Sequence, residues 1–187
     1  MKYSVGGYYP LNILLSALKG ASAMGEIETA RKEDFDAIAA LNVQAYAEFA
    51  PHLHSGAWDV MRGNLQNIAE RSQKADFIVY RQGSQVIGSI AYCPAGQSDP
   101  AIFGPGMASV LLLAVDPEHR GRGIGKALTE ACIARACIDK AASLGLFTSE
   151  LMQAAQHVYR SLGFVQDIEL PPRHGIRYFR FVLKLAS

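Results

Sequence analysis

Leu111-Leu112-Leu113-Ala114-Val115-Asp116-Pro117-Glu118-His119-Arg120-Gly121-Arg122-Gly123-Ile124-Gly125-Lys126-Ala127-Leu128 is the stretch on which the reading of the chain turns. Its unbroken apolar opening predicts a strand buried on both faces, and Asp116-Pro117 ends that strand at Val115 because proline cannot extend a ladder. Alternating glycines and three cations follow, and then Ile124, Leu128, Ala131 and Ile138 recur at helical spacing, so a helix opens inside the glycine run. Strand, glycine loop and helix form a phosphate cradle. The first helical turn carries unpaired N–H groups at the positive end of the macrodipole, and glycine lets a bulky anion approach them. Arg120, Arg122 and Lys126 add full charges to the same place.

Two nucleotide-binding patterns fail on this segment. A P-loop requires glycine where Arg120 stands and a hydroxyl where Ala127 stands. A dinucleotide fingerprint fits Gly121 and Gly123 but meets Lys126 at its third glycine position.

The pattern Arg-x-x-Gly-x-Gly at Arg120, Gly123 and Gly125, preceded by Leu-Ala-Val-Asp-Pro, closely resembles the signature of the GNAT superfamily, the acetyl-CoA-dependent N-acetyltransferases. The resemblance extends to Ala155, Tyr159 and the Leu162-Gly163-Phe164 ending and covers roughly residues 25 to 185. It implies an α/β (α+β) GNAT fold: a mixed central sheet with antiparallel N-terminal strands and splayed parallel central strands, flanked by helices. It also implies acetyl-CoA (coenzyme A) as cofactor. The diphosphate then lies on the backbone of Gly121, Gly123, Ile124 and Gly125, and the sulfur arm lies along Leu113, Ala114 and Val115. Tyr159 matches the family's general-acid tyrosine, and a phenol near pKa 10 suits proton donation to a thiolate of lower basicity. Many relatives carry an acid where this chain has Ser109 and an asparagine where it has Met152. The catalytic base is therefore open between a water chain, Glu150, His52, His54 and the acceptor's own ionisation.

The rest of the chain supplies the frame. Residues 27–30 predict a short strand. A helix follows, with Phe35, Ile38, Ala39, Leu41, Val43, Ala45 and Tyr46 as apolar positions and an end near Pro51; after a loop, a second helix runs to about Arg71 on Met61, Leu65, Ile68 and Ala69. In the family this region roofs the acceptor site, which makes Glu48, His52, His54 and Trp58 candidate substrate contacts, with Ser109 beside them. Phe77–Tyr80 and Val86–Tyr92 flank Gly83-Ser84 as a hairpin, and residues 94–106 form a long connection. Leu144–Thr148 predicts a strand, and a helix from Glu150 to Leu162 aligns Met152, Ala155, Tyr159 and Leu162 before the Gly163 cap. Pro171 to Gly175 reads as a stiff loop before a last strand from Arg177.

The 187 residues, half of them hydrophobic, suit one domain with a substantial core. A net charge of +1 leaves no footprint for nucleic acid or an anionic membrane. Cys93, Cys132 and Cys137 are odd in number and read as buried small hydrophobes in a reducing compartment, with no metal site among them. Residues 1–23 form an N-terminal extension to an acetyltransferase domain spanning 24–187. The extension holds the apolar run Leu11–Leu18 and Ala21-Ser22-Ala23, which superficially resembles a signal cleavage site; Lys2 is a weak charged region and Asn12 interrupts the run. A docked helix, or a start upstream of Met24, fits better, and the coenzyme A pool points to the cytoplasm. The extension also offers a surface for a homodimer.

The expected activity is direct transfer of acetyl from acetyl-CoA to a primary amine of a small molecule or peptide. A non-catalytic acyl-CoA-binding regulatory domain competes with it, because Ser109 is no base. A nucleotide-binding module is a third reading.

Overall fold

The computed structural model describes residues 25–173 and 175–185; the N-terminal extension lies outside the described residues. A seven-stranded sheet organises the chain: β1 (Glu26–Thr29), β2 (Asp76–Gln82), β3 (Gln85–Cys93), β4 (Met107–Val115), β5 (Ser143–Ser149), β6 (Val165–Arg173) and β7 (Ile176–Lys184). Their spatial order is β1-β2-β3-β4-β5-β7-β6, and every neighbouring pair is antiparallel except β4 and β5. The helices are α1 (Phe35–Tyr46), α2 (Ala57–Gln66), α3 (Ile68–Arg71), α4 (Ile124–Ile138) and α5 (Gln153–Ser161).

Each face of the sheet has its own core. On one, α4 and α5 cover Ile90, Val110, Leu146 and Phe181; on the other, α1 lays Ile38 and Leu41 on Phe77, Val79 and Ala114. The apolar run 111–115 thus lies between two helical layers, as a doubly covered strand requires. Gly88 allows α4 to seat closely on β3, since a Cβ there would stand 2.8 Å from Ile124 Cγ2.

Local details depart from the sequence reading. Asn67 has φ −80 and ψ 58, outside the helical region, and divides the expected single helix into α2 and α3. That break turns Ala69 out to solvent while Leu65 and Ile68 stay buried. Ile138 is 58% exposed, because the buried stripe of α4 runs through Ile124, Leu128, Cys132 and Ala136, and residue 138 falls off it. Residues 171–173, expected in a loop, extend β6. That strand is at the sheet edge, where Pro171 and Pro172 forfeit no ladder bond. The polar Asn42 is fully buried in α1, where it donates to the Leu65 carbonyl at 3.3 Å and accepts from Ser89 at 3.3 Å. All three cysteines are free, and burial pushes their thiols up.

A charged network closes the β1 edge. Arg81 of β2 holds Glu28 at 2.6 Å and Asp34 at 2.8 Å, and the other Asp34 oxygen accepts the Arg31 amide at 2.8 Å. Burial pushes the Asp34 carboxyl up, but the Arg31 amide and the Arg81 guanidinium outweigh it and hold it below the usual carboxylate range. A depressed carboxyl stabilises the fold above its unfolded value, roughly pH 4, and that contribution drains away as pH falls through the lower folded value. Wild type should therefore exceed Asp34→Asn by about 2 kcal/mol at neutral pH in urea unfolding, with the difference vanishing in acid. A difference that stays constant with pH contradicts this account.

Candidate active site

The cleft arises where two strands part. β4 and β5 pair from Met107↔Ser143 only as far as Val110↔Leu146, although both strands continue beyond. On its other side β4 pairs Leu111 with Ala91 and Ala114 with Ser89, so Leu112 and Leu113 share one partner residue. This is a bulge, and Leu112 takes φ +54 within it, an uncommon conformation for a non-glycine residue. The bulge re-aims the β4 backbone into the gap left by β5. Tyr46 of α1 fixes it from behind by donating its phenol to the Leu113 carbonyl at 3.3 Å.

The resulting cleft has a volume of about 1460 Å³. Its floor includes Leu113, Ala114 and Val115; one end is formed by Gly121, Gly123, Ile124, Gly125 and Lys126, and Tyr159 lines it from α5. Asp116 builds the glycine end by accepting the Glu118 amide at 2.9 Å, which caps the short turn Pro117–His119. Gly121 and Gly123 then take φ +75 and +81, and a Cβ on either would meet only open space. Gly123 is the residue before α4, so the Ile124, Gly125 and Lys126 amides of the first turn face outward without intrahelical acceptors. Arg122 and Lys126 are exposed beside them. Donors, dipole and open backbone fit a diphosphate.

Arg120 also lines the cleft, and its guanidinium has partners within the chain. It pairs with Glu48 at 2.7 Å and donates to the carbonyls of Ala45 at 3.0 Å and Val115 at 3.4 Å, so it braces the cradle against the end of α1. Arg120→Ala should cost about 1–2 kcal/mol in urea unfolding. Arg122→Ala should cost less than about 0.5 kcal/mol and show mainly in anion affinity.

Tyr159 is 5% exposed, its ring packed 5.9 Å from Phe164 and 6.4 Å from Phe181. Burial pushes its phenol well above the ordinary tyrosine value, with Tyr46 and Cys132 adding to the shift, so it is protonated at neutral pH. Burial raises Tyr46 in the same way.

Several expected contacts stand elsewhere. Glu48 lines the cleft, but paired to Arg120. His52, His54 and Trp58 are not among the lining residues: His52 and His54 are exposed, and the His54 ring sits over Gly175, where a Cβ would collide with it. Ser109 is fully buried and does not line the cleft itself, but it shares a hydrogen bond with Ser98, which does. Glu150 accepts the Arg177 amide at 3.2 Å, likewise outside it.

Two buried polar atoms without a hydrogen bond among the described residues belong to cleft-lining side chains that escaped the sequence reading. Thr148 is 3% exposed and lines the cleft, and its hydroxyl has no partner among the described residues; one hydroxyl in the apolar run Leu144–Thr148 was the available signal. His119 also lines the cleft, with Nδ1 buried, lacking a hydrogen bond and 3.7 Å from Asp116.

A profile of the acetyltransferase (GNAT) domain matches residues 73–166. Mycothiol acetyltransferase of Thermobispora bispora is 31% identical over 138 residues, 71% of this chain and 43% of its own length. N-acetyltransferase 8 of Mus musculus is 32% identical over 112 residues, 60% of this chain and 46% of its own. The chain thus spans less than half the length of either relative. Among solved structures, yncA of Salmonella typhimurium, determined with its cofactor acetyl-CoA, shares the fold with a TM-score of 0.64 at 18% identity, covering 87% of this chain and 95% of that one. Because the matched profile takes in the parted strands, the glycine cradle and Tyr159 together, the chain belongs to the GNAT acetyltransferase family.

Proposed function

We propose that the chain is an acetyl-CoA-dependent N-acetyltransferase that moves acetyl directly to a primary amine of a small molecule or peptide. The observation that carries this reading is the continuity of one cleft from the outward amides at Gly123 to Gly125, along the bulged β4 backbone, to the buried phenol of Tyr159. When bound, acetyl-CoA supplies an activated acyl group and a thiolate leaving group.

The chain's own groups answer two demands of the transfer. Backbone N–H groups of β4 beyond Val110, unpaired on the β5 side, are donors for the charge that develops on the acyl oxygen. Tyr159 holds a proton for the departing sulfur. Its raised pKa does not make it too weak an acid, because the same desolvation raises the basicity of a thiolate beside it. The third demand, a neutral amine, falls to a base that reaches the cleft. His119 is a lining imidazole whose Nδ1 is turned toward Asp116 at 3.7 Å.

The test combines calorimetry of acetyl-CoA with thiol release across a panel of amines. Binding with amine-dependent release is expected. Binding without release for every amine favours a non-catalytic acyl-CoA-binding domain, and tighter binding of ATP or NAD than of coenzyme A favours a nucleotide module.

A further inference from the structure

Most arginines of the described residues have a carboxylate partner. On the β6–β7 hairpin Arg177 grips Glu169 at 2.9 Å and Arg180 grips Asp167 at 2.6 Å. Arg81, Arg120 and Arg135 are paired likewise. Two arginines that line the cleft are different: Arg71, at the end of α3, and Arg173, at the end of β6, have no ion pair among the described residues. Arg71 donates Nε to the Asn64 carbonyl at 3.3 Å, which leaves its terminal amines to the cleft. The Arg173 guanidinium lies 5.1 Å from the Phe147 ring centre and 6.0 Å from that of Tyr178. Their charges reach inward: burial raises the Tyr46 and Tyr178 phenols, and Arg71 and Arg173 respectively oppose that rise.

We infer that the acceptor carries a carboxylate beside its amine, on an apolar body. The inference rests on the acetyltransferase reading and adds the substrate class. A guanidinium stacked on two rings is already ordered and offers a planar fork that a carboxylate fits bidentately. Phe147 and Tyr178 give the body of such a molecule a wall to lie against. An acceptor without an anion leaves both guanidiniums without an ionic partner.

The test uses N-acetyl-L-phenylalanine and its carboxamide, titrated calorimetrically into the full chain with coenzyme A present. The acid should bind at least about tenfold tighter than the amide, equivalent to one charge-assisted contact. Added salt should weaken the acid and spare the amide. Arg173→Ala should abolish the preference, Arg173→Lys should retain part of it, and Arg160→Ala, on the far side of Phe181, should leave it intact. Equal binding of acid and amide, binding of neither, or a preference that survives both Arg71→Ala and Arg173→Ala overturns the inference. Because the titration needs no turnover, a preference for the acid with no amine acetylated overturns the acetyltransferase reading alone.

Discussion

Replacing Tyr159 with phenylalanine is expected to lower acetyl transfer about 100-fold or more while leaving acetyl-CoA affinity nearly unchanged. The ring is held by Phe164 and Phe181 and is 5% exposed, and phenylalanine keeps that packing. What is lost is one hydroxyl whose proton burial retains at neutral pH. Single-turnover thiol release together with calorimetry separates chemistry from binding, and urea unfolding should show a change below about 1 kcal/mol. Unchanged turnover would remove the acid role. A parallel loss of affinity would make Tyr159 a wall of the cleft rather than a proton donor. Because the phenol is shifted upward, an alkaline limb near the ordinary tyrosine value should be absent from the wild-type rate profile.

The second large effect is expected at Gly123. Gly123→Val should weaken acetyl-CoA binding about 100-fold by calorimetry, with turnover at saturation much less affected. A branched residue at φ +81 costs about 1–2 kcal/mol in conformation, which lowers fold stability. Because the space around the position is empty, no protein neighbour adds to that cost. The methyl groups instead fill the approach to the Ile124 and Gly125 amides, and each charge-assisted hydrogen bond lost there is worth about 1.5–3 kcal/mol. Gly83→Val provides the control. Gly83 has φ +59 in the β2–β3 turn, away from the cleft, so strain there should lower stability without changing cofactor affinity. Equal effects of the two substitutions on affinity would show that the loss comes from general destabilisation and not from the blocked amides.

These two predictions concern positions whose local conformation was legible before any fold was known, and that legibility has a physical cause. The end of β4 at Asp116-Pro117, the glycine turn, the helix after it, the Gly83-Ser84 hairpin and the Gly163 cap, which takes φ +86, all follow from rules acting within a few residues. Tyr159 shares this property, since its side of α5 is set by helical spacing from Ala155 and Leu162.

Where the reading fell short, the cause lay between distant segments. Arg120 lines the cleft as its place in the glycine loop suggests, but its pairing with Glu48 and the Ala45 carbonyl at the end of α1, far away in the chain, was not legible. Pro171 and Pro172 carry a local loop signal, and only their place on an edge strand makes them compatible with β6. His52, His54 and Trp58 fall within the expected roof in sequence, but they are not among the cleft-lining residues, and His54 packs on Gly175 instead.

The sequence by itself determined the strand, the glycine turn, the helix behind it and the face on which Tyr159 lies, because backbone sterics and periodicity act locally. The tertiary structure alone decided that Leu112 adopts a left-handed bulge against its own preference, that β4 and β5 part beyond Val110, and that Arg71 and Arg173 face the cleft without carboxylates. Those outcomes depend on which side chains meet across the sheet, and such meetings are fixed by the packing of whole elements.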